Sequence, residues 1–376
     1  MKITRIALYR TELPYIGGTY GWGRGNAFDT ATASVVTIDT DAGLTGCGEF
    51  TPCGESYMKA HSAGVEAAAR RLAPVLLGQD PRQVAQIEQI MDATLQGHGY
   101  AKAPFDAACW DLLGQSLGAP VWLLLGGKLT DGVPMYRVVP HTSPDETAAE
   151  MQRYRAAGYR HFQIKLGTDP GTDIDRLRAT VPLLEPGERI FADANQAWRV
   201  DEALQVARAT QDLDYVLEQP CKTYEECQQV RARTTLPMKL DECVTGLPVA
   251  QRIVQDRGAE IVCLKISNLG GLSKARRVRD YLVDNRIPVV AEDSWGGEIT
   301  TATLAHFAAS TPADWLINTT DLHNYNTKHT GSPGPRTEDG RLFPPDAPGL
   351  GVSPDFGSIG DPVAVFGTTP AARVAQ

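Results

Sequence analysis

At 376 residues and 42% hydrophobic content, the chain is long enough for one domain of about 250 residues and a smaller companion. A net charge of −9 without a basic block excludes a nucleic-acid or anionic-membrane role, and no apolar run nears the roughly 18 residues of a membrane span. The seven cysteines are scattered, without a CxxC pair, which points away from a disulfide framework or zinc site and towards a reduced, cytoplasmic protein.

MKITRIALYR at the start alternates like a strand and does not read as a signal peptide. SVVTIDTDAGLTGCGEF reads as strand, Asp-Ala-Gly turn and strand, so residues 1–60 are expected to form an antiparallel sheet. Between these strands PYIGGTYGWGRGNAFDT is rich in glycine and aromatics and is expected to be a mobile loop rather than core. Residues 60–126 read as helices. VPMYRVVP at 133–140 is then expected to be a first barrel strand, and Ser143-Pro144-Asp145-Glu146 a helix start, with a cap, a first-turn proline and acids facing the positive helix end. The helix should run to Ala157, with Gly158 stopping it. A β/α alternation follows to an eighth strand expected at 314–320, and the Pro/Gly-rich tail should pack back on the first domain. The expected division is an α+β capping domain at 1–128, completed by 328–376, and a barrel at 129–327.

Along that alternation Lys165, Asp193, Glu218, Asp241, Lys265 and Asp293 recur at gaps of 28, 25, 23, 24 and 28 residues, about one strand and one crossover helix each. The first five end or directly follow short apolar runs, FQIK, IFAD, YVLE, MKLD and IVCLK. Charges at successive strand ends belong on the active-site face of a (β/α)₈ barrel. Asp193, Glu218 and Asp241 on adjacent strands, about 5 Å apart, can converge on one ion. An all-carboxylate oxygen set suits Mg²⁺ or Mn²⁺, with Asn195 as a supporting partner. Lys165 and Lys265, on strands two and six, would face each other across it as acid–base groups. A lysine base requires a pKa lowered by about 3 units, or roughly 4 kcal/mol, which burial and a nearby cation can supply. Such a set can remove a proton next to a carboxylate.

The motifs FQIKLG, FADANQAW, VLEQPC, LDE and LKISNLGGLSKA, with AKAPFDAACWDLLGQSLGAPVWLLLGG before them, resemble the enolase superfamily over essentially the whole chain, and within it the muconate lactonizing enzyme-like branch. The resemblance implies a (β/α)₇β-type TIM barrel under an α+β capping domain, a Mg²⁺-dependent lyase or racemase/epimerase, and a homo-oligomer. It also implies that capping loops near Trp22 and Tyr57 close over the substrate, with Trp295 lining the pocket. Two departures stand out. The usual Lys-x-Lys of strand two is Gln163-Ile164-Lys165, and strand seven carries Glu292-Asp293 where the mandelate racemase branch has histidine.

QIKLG, LEQPC and DSWGG look most like the subgroup acting on proline derivatives. Gln163, Asn195, Asp293 and Asp321 join Tyr57, Trp22 and Trp295 as expected substrate contacts, with Asp321 pairing a protonated amine. A quaternary betaine nitrogen would favour an aromatic box instead, and Thr320-Asp321-Leu322-His323 contains no tryptophan. The expected activity is therefore dehydration of cis-3-hydroxy-L-proline, with possible proline 2-epimerase activity. The alternatives are an amino-acid, dipeptide or betaine epimerase and, in another class, a non-catalytic small-molecule binder.

Overall fold

The computed structural model describes residues 1–140 and 143–368. β1 (Ile3–Pro14) is followed by a hairpin of β2 (Tyr20–Trp22) and β3 (Asn26–Phe28), then by β4 (Thr30–Thr40) and β5 (Thr45–Phe50). β1, β4 and β5 form an antiparallel sheet, with Gly43 at φ 75° turning β4 into β5. A C-terminal strand, Ala364–Gly367, adds to the outer edge of β1. Residues 369–376, expected in the same lobe, lie outside the described residues.

α1 (Ser62–Leu76), α2 (Val84–Thr94) and α3 (Gly99–Leu117) follow. α3 is buried along nearly its whole length because it lies between the capping sheet and the barrel. On its sheet side glycines allow a close approach: a Cβ on Gly48 would stand 2.0 Å from the Pro104 carbonyl oxygen. On its barrel side Asp106 accepts from the Ser273 amide at 3.0 Å and its hydroxyl at 2.5 Å, and Trp110 Nε1 donates to that hydroxyl at 2.9 Å.

Eight parallel strands form the barrel in sequential order: Tyr136–Val139, His161–Lys165, Arg189–Asp193, Val216–Glu218, Met238–Leu240, Ile261–Lys265, Val289–Glu292 and Leu316–Asn318. The ring closes where Tyr136 N donates to Thr319 O and Thr319 N to Pro134 O. The helix expected at Ser143 is present as Pro144–Ala156, capped by Ser143 and Glu146 in a reciprocal box. Among the described residues no helix is long and apolar enough to cross a membrane.

Three expectations change. Val133–Pro134 pairs antiparallel with Arg341–Phe343, so the first barrel strand begins only at Tyr136. A 3₁₀ turn, Ala313–Trp315, takes the start of the expected eighth strand. The Gly/aromatic stretch is a packed hairpin rather than a mobile loop, with Tyr20 and Trp22 buried. Its glycines allow backbone contact: Gly23 lies where a Cβ would meet Ala194 O and the Ala197 side chain at 2.9 Å.

The sheet–helix contact yields a direct test. Gly48→Ala has no room against the Pro104 carbonyl and should cost about 1–3 kcal/mol of stability in denaturant unfolding. An unchanged midpoint would mean that β5 and α3 are packed less closely.

Candidate active site

Parallel pairing sets the strand-end residues level. Lys165 is registered with Asp193, Asp193 with Glu218, and Lys265 with Glu292. The side chains two residues earlier, among them Gln163, Phe191, Val216, Lys239, Cys263 and Val290, form a second inward layer beneath, as the period of two requires. Asp193, Glu218, Asp241, Lys165 and Lys265 thus meet inside the barrel mouth, all buried.

Each of the three lysines in the ring has a different near carboxylate. Lys165 Nζ lies 2.7 Å from Asp193 Oδ2, Lys239 Nζ 2.7 Å from Glu218 Oε1, and Lys265 Nζ 2.5 Å from Asp241 Oδ2. Lys265 also reaches Glu292 Oε1 at 2.6 Å. Burial alone would lower both catalytic-candidate lysines. Asp193, Tyr20 and Glu218 around Lys165, and Asp241, Cys263 and Glu292 around Lys265, outweigh it and hold both well above the ordinary value. The lowered pKa expected of a base is therefore not produced by the protein's own carboxylates. Burial pushes Glu218 up to about 8 against the pull of Lys239, with Asp193 and Asp241 adding repulsion. Burial opposes ionisation of Glu292 too, but Lys265 and Lys239 hold it down at about 2.

The donor set fits a hard divalent cation. Glu218 Oε2 and Asp241 Oδ1 are buried oxygens without a hydrogen-bond partner, as are Asn195 Oδ1 and Glu242 Oε2 close by. Acceptors left open in this way are costly unless a cation or water takes them. Among the described residues, one trio of potential ligand groups has atoms all within 4.8 Å: Asp241, Cys263 and Glu292. That trio surrounds the Lys265 ammonium, 3.9 Å from Cys263 Sγ, so its centre is already filled by a positive charge. Asp193, Glu218 and Asp241 are each drawn to a lysine instead.

A small cavity sits over this ring. Gln163, Lys165, Asn195, Glu292 and Asp293 contribute its polar side, and Tyr20, Trp22, Tyr57, Trp295 and Tyr325 its aromatic side. Tyr57 comes from the loop after β5, and its hydroxyl donates to Asp241 Oδ2 at 3.3 Å. Trp295 packs edge-on to Tyr20 with ring centroids 4.9 Å apart and donates its Nε1 to Asn326 Oδ1 at 2.8 Å. Asn195 has φ 44°; its amide donates to Asp193 Oδ1 at 2.8 Å and its Nδ2 to Glu242 Oε1 at 2.9 Å. All of the expected contacts except Asp321 line the cavity.

Asp321 is turned elsewhere. Its Oδ2 pairs with Arg137 of the first barrel strand at 3.1 Å and accepts from Asn324 at 2.8 Å and Tyr159 at 3.4 Å. Its Oδ1 is buried without a partner, and Asp321 does not line the cavity, whereas the neighbouring Thr320, with an unpartnered buried hydroxyl, does. Strand seven shifts by one residue as well. The ring member is Glu292, and Asp293 is engaged by the Ser267 amide at 2.9 Å, the Ser267 hydroxyl and the Ser294 amide at 2.7 Å. Burial raises Asp293 to about 6 despite these bonds. Lys239, Glu242 and Glu292 were not singled out from the sequence. Strict alternation carries the signal for two of them: Lys239 stands two residues before Asp241, and Glu292 itself ends VVAE.

Comparison with known proteins gives the same outline. Residues 25–126 match the mandelate racemase/muconate lactonizing enzyme N-terminal domain, and 146–358 the enolase C-terminal domain-like family. The chain is 42% identical to a cis-3-hydroxy-L-proline dehydratase of Roseibium aggregatum, covering 97% of this chain and 100% of that one. A crystal structure of a mandelate racemase/muconate lactonizing enzyme from Roseovarius nubinhibens superposes with a TM-score of 0.96 at 69% identity, over 98% of this chain and 100% of that one. A second protein from that organism, crystallised with magnesium, superposes at 0.94 with 36% identity, over 98% and 100%.

The pairing of Asp321 predicts a structural phenotype. Asp321→Asn leaves the Arg137 charge buried without its partner and should cost about 3–5 kcal/mol in denaturant unfolding. Wild-type stability with a selective loss of amine substrates would return Asp321 to substrate binding.

Proposed function

The chain belongs to the mandelate racemase/muconate lactonizing enzyme family of the enolase superfamily, and on that footing we propose that it dehydrates cis-3-hydroxy-L-proline. The observation that carries this reading is the pair of buried lysines on strands two and six, on opposite sides of a ring of eight, level with carboxylates that have open oxygens. The full-length likeness to a dehydratase supports the choice of substrate.

In the cis isomer the hydroxyl and the carboxylate share one face of the ring, so the α-proton lies on the other. Lysines on opposite sides suit that arrangement. One takes the α-proton; the other, as an ammonium, gives a proton to the departing hydroxyl, which leaves as water. The electron pair of the broken C–H bond becomes the new C=C bond, and the enamine tautomerises to a cyclic imine. Asp193, Glu218 and Asp241 would hold Mg²⁺. When bound, such an ion would draw carboxylate charge away from Lys165 and Lys265 and offset negative charge on the substrate. Asn195 Oδ1 and Thr320 Oγ1, buried and unpartnered at the cavity wall, are the contacts open to a secondary amine. Trp22, Tyr57 and Trp295 exclude water above it. Seven free cysteines support a cytoplasmic setting.

A second reading has one observation in its favour. The aromatic wall of Tyr20, Trp22, Trp295 and Tyr325 suits a quaternary nitrogen, hence epimerisation of a proline betaine by the same two lysines.

With Mg²⁺, wild type should convert cis-3-hydroxy-L-proline to an imine trapped by 2-aminobenzaldehyde. Chelation with EDTA should abolish turnover, and added Mg²⁺ should restore it. Lys165→Ala and Lys265→Ala should each lower turnover by about 10²–10⁴-fold or more. Deuterium uptake at the α-carbon of proline betaine without any imine would favour the epimerase. Full turnover in either alanine variant would refute the two-lysine mechanism.

A further inference from the structure

Lys239 is a lysine the mechanism does not use. It lies on the inward face of the fifth barrel strand, one pleat below Asp241, and is 1% exposed. The rings of Phe191 and Tyr136 flank its ammonium at 5.2 and 5.7 Å. It does not line the cavity, which makes it unsuited to touching substrate. Its near partner is Glu218 Oε1 at 2.7 Å, with Glu292 Oε2 at 3.8 Å. Gln163 Nε2 donates to the same Glu218 oxygen at 3.1 Å. Oε1 is thus held by two donors from strands two and five, whereas Oε2 has no partner. Of the two donors, only Lys239 carries charge.

We propose that Lys239 is a positioning residue for the ion site: it anchors Glu218 through Oε1, leaves Oε2 free for the cation, and supplies the fixed positive charge that Gln163 lacks. This rests on the reading of Asp193, Glu218 and Asp241 as ion ligands. Lys165 and Lys265 each pair with one of the other two acids, so the three lysines together match the three ligands. Lys165 and Lys265 must exchange protons in turnover. Lys239, shut off below them, keeps its place throughout. Removing it leaves Glu218 buried without a counter-charge whenever no cation is bound, and a bound divalent cation makes good much of that loss. The damage should therefore fall mainly on the metal-free protein. Because Gln163 reaches the same oxygen from strand two, a lysine placed there can take over the role.

Thermal unfolding of the full chain, in EDTA and in saturating Mg²⁺, tests this in wild type, Lys239→Met and Gln163→Lys/Lys239→Met. Lys239→Met should lower the metal-free Tm by on the order of 10 °C, the scale expected when a buried ion pair loses one partner. In Mg²⁺ the loss should be less than half as large, so the shift on adding Mg²⁺ grows beyond that of wild type. The charge-relocated double variant should recover most of the metal-free loss. Equal losses with and without Mg²⁺, and no recovery on relocation, would overturn the proposal by reducing Lys239 to a packing residue. If Lys239→Met does not fold, the double variant decides: folding with a wild-type Mg²⁺ shift supports the proposal, and failure to fold overturns it. A wild type whose Tm ignores Mg²⁺ would instead remove the ion site itself, and the proposal with it.

Discussion

Asp193, Glu218, Asp241, Glu242 and Glu292 are buried together at the barrel mouth, an arrangement unfavourable on its own. Isolated buried carboxylates do not stay ionised. Lys165, Lys239 and Lys265 make the cluster possible, each within 2.7 Å of a different acid. The barrel places them through parallel register and the alternation of inward side chains. Residual negative charge and open oxygens on Glu218 and Asp241 then favour a divalent cation. Charge compensation, metal affinity and proton transfer are thus consequences of one arrangement.

The capping domain serves that arrangement by closing it. α3 fastens the sheet to the barrel helix Leu272–Asp284 through Asp106, Ser273 and Trp110. Nearer the site Glu49 of β5 accepts from the Gly297 and Thr300 amides at 2.7 and 3.1 Å, a remote carboxylate at the start of the helix Glu298–Ala309. Thr51, just after β5, bridges to Trp295. The hairpin and the Tyr57 loop are carried on these anchors, so the cavity's aromatic wall is held by contacts distant from the chemistry. Shielding from bulk solvent strengthens the electrostatic interactions within the site.

The barrel is legible because the ends of strands two to seven carry charges after apolar runs. The three ligand candidates and two lysines meet where that rhythm put them. On strand seven the series takes Asp293 where the ring member is Glu292, because two acids stand side by side and a one-residue slip moves a side chain to the other face. Lys239 shares the inward face with Asp241 by strict alternation, but its partner Glu218 lies on another strand, so the pairing itself has no local signal. The pairing of Asp321 with Arg137 is not legible in the sequence because Arg137 comes from the first strand and Asp321 from the end of the last; they meet only when the ring closes. The hairpin's burial likewise depends on a barrel surface that its own glycines and aromatics do not reveal.

The central claim is that two lysines act from opposite faces of the substrate. It is tested most directly by comparing cis- and trans-3-hydroxy-L-proline as substrates under identical Mg²⁺ conditions. In the trans isomer the α-proton and hydroxyl share a face, so the opposite lysine cannot protonate the leaving group. The account predicts imine formation from the cis isomer at a kcat/KM at least about 100-fold higher, the low end of what a positioned general acid contributes. Equal values for the two isomers would contradict it.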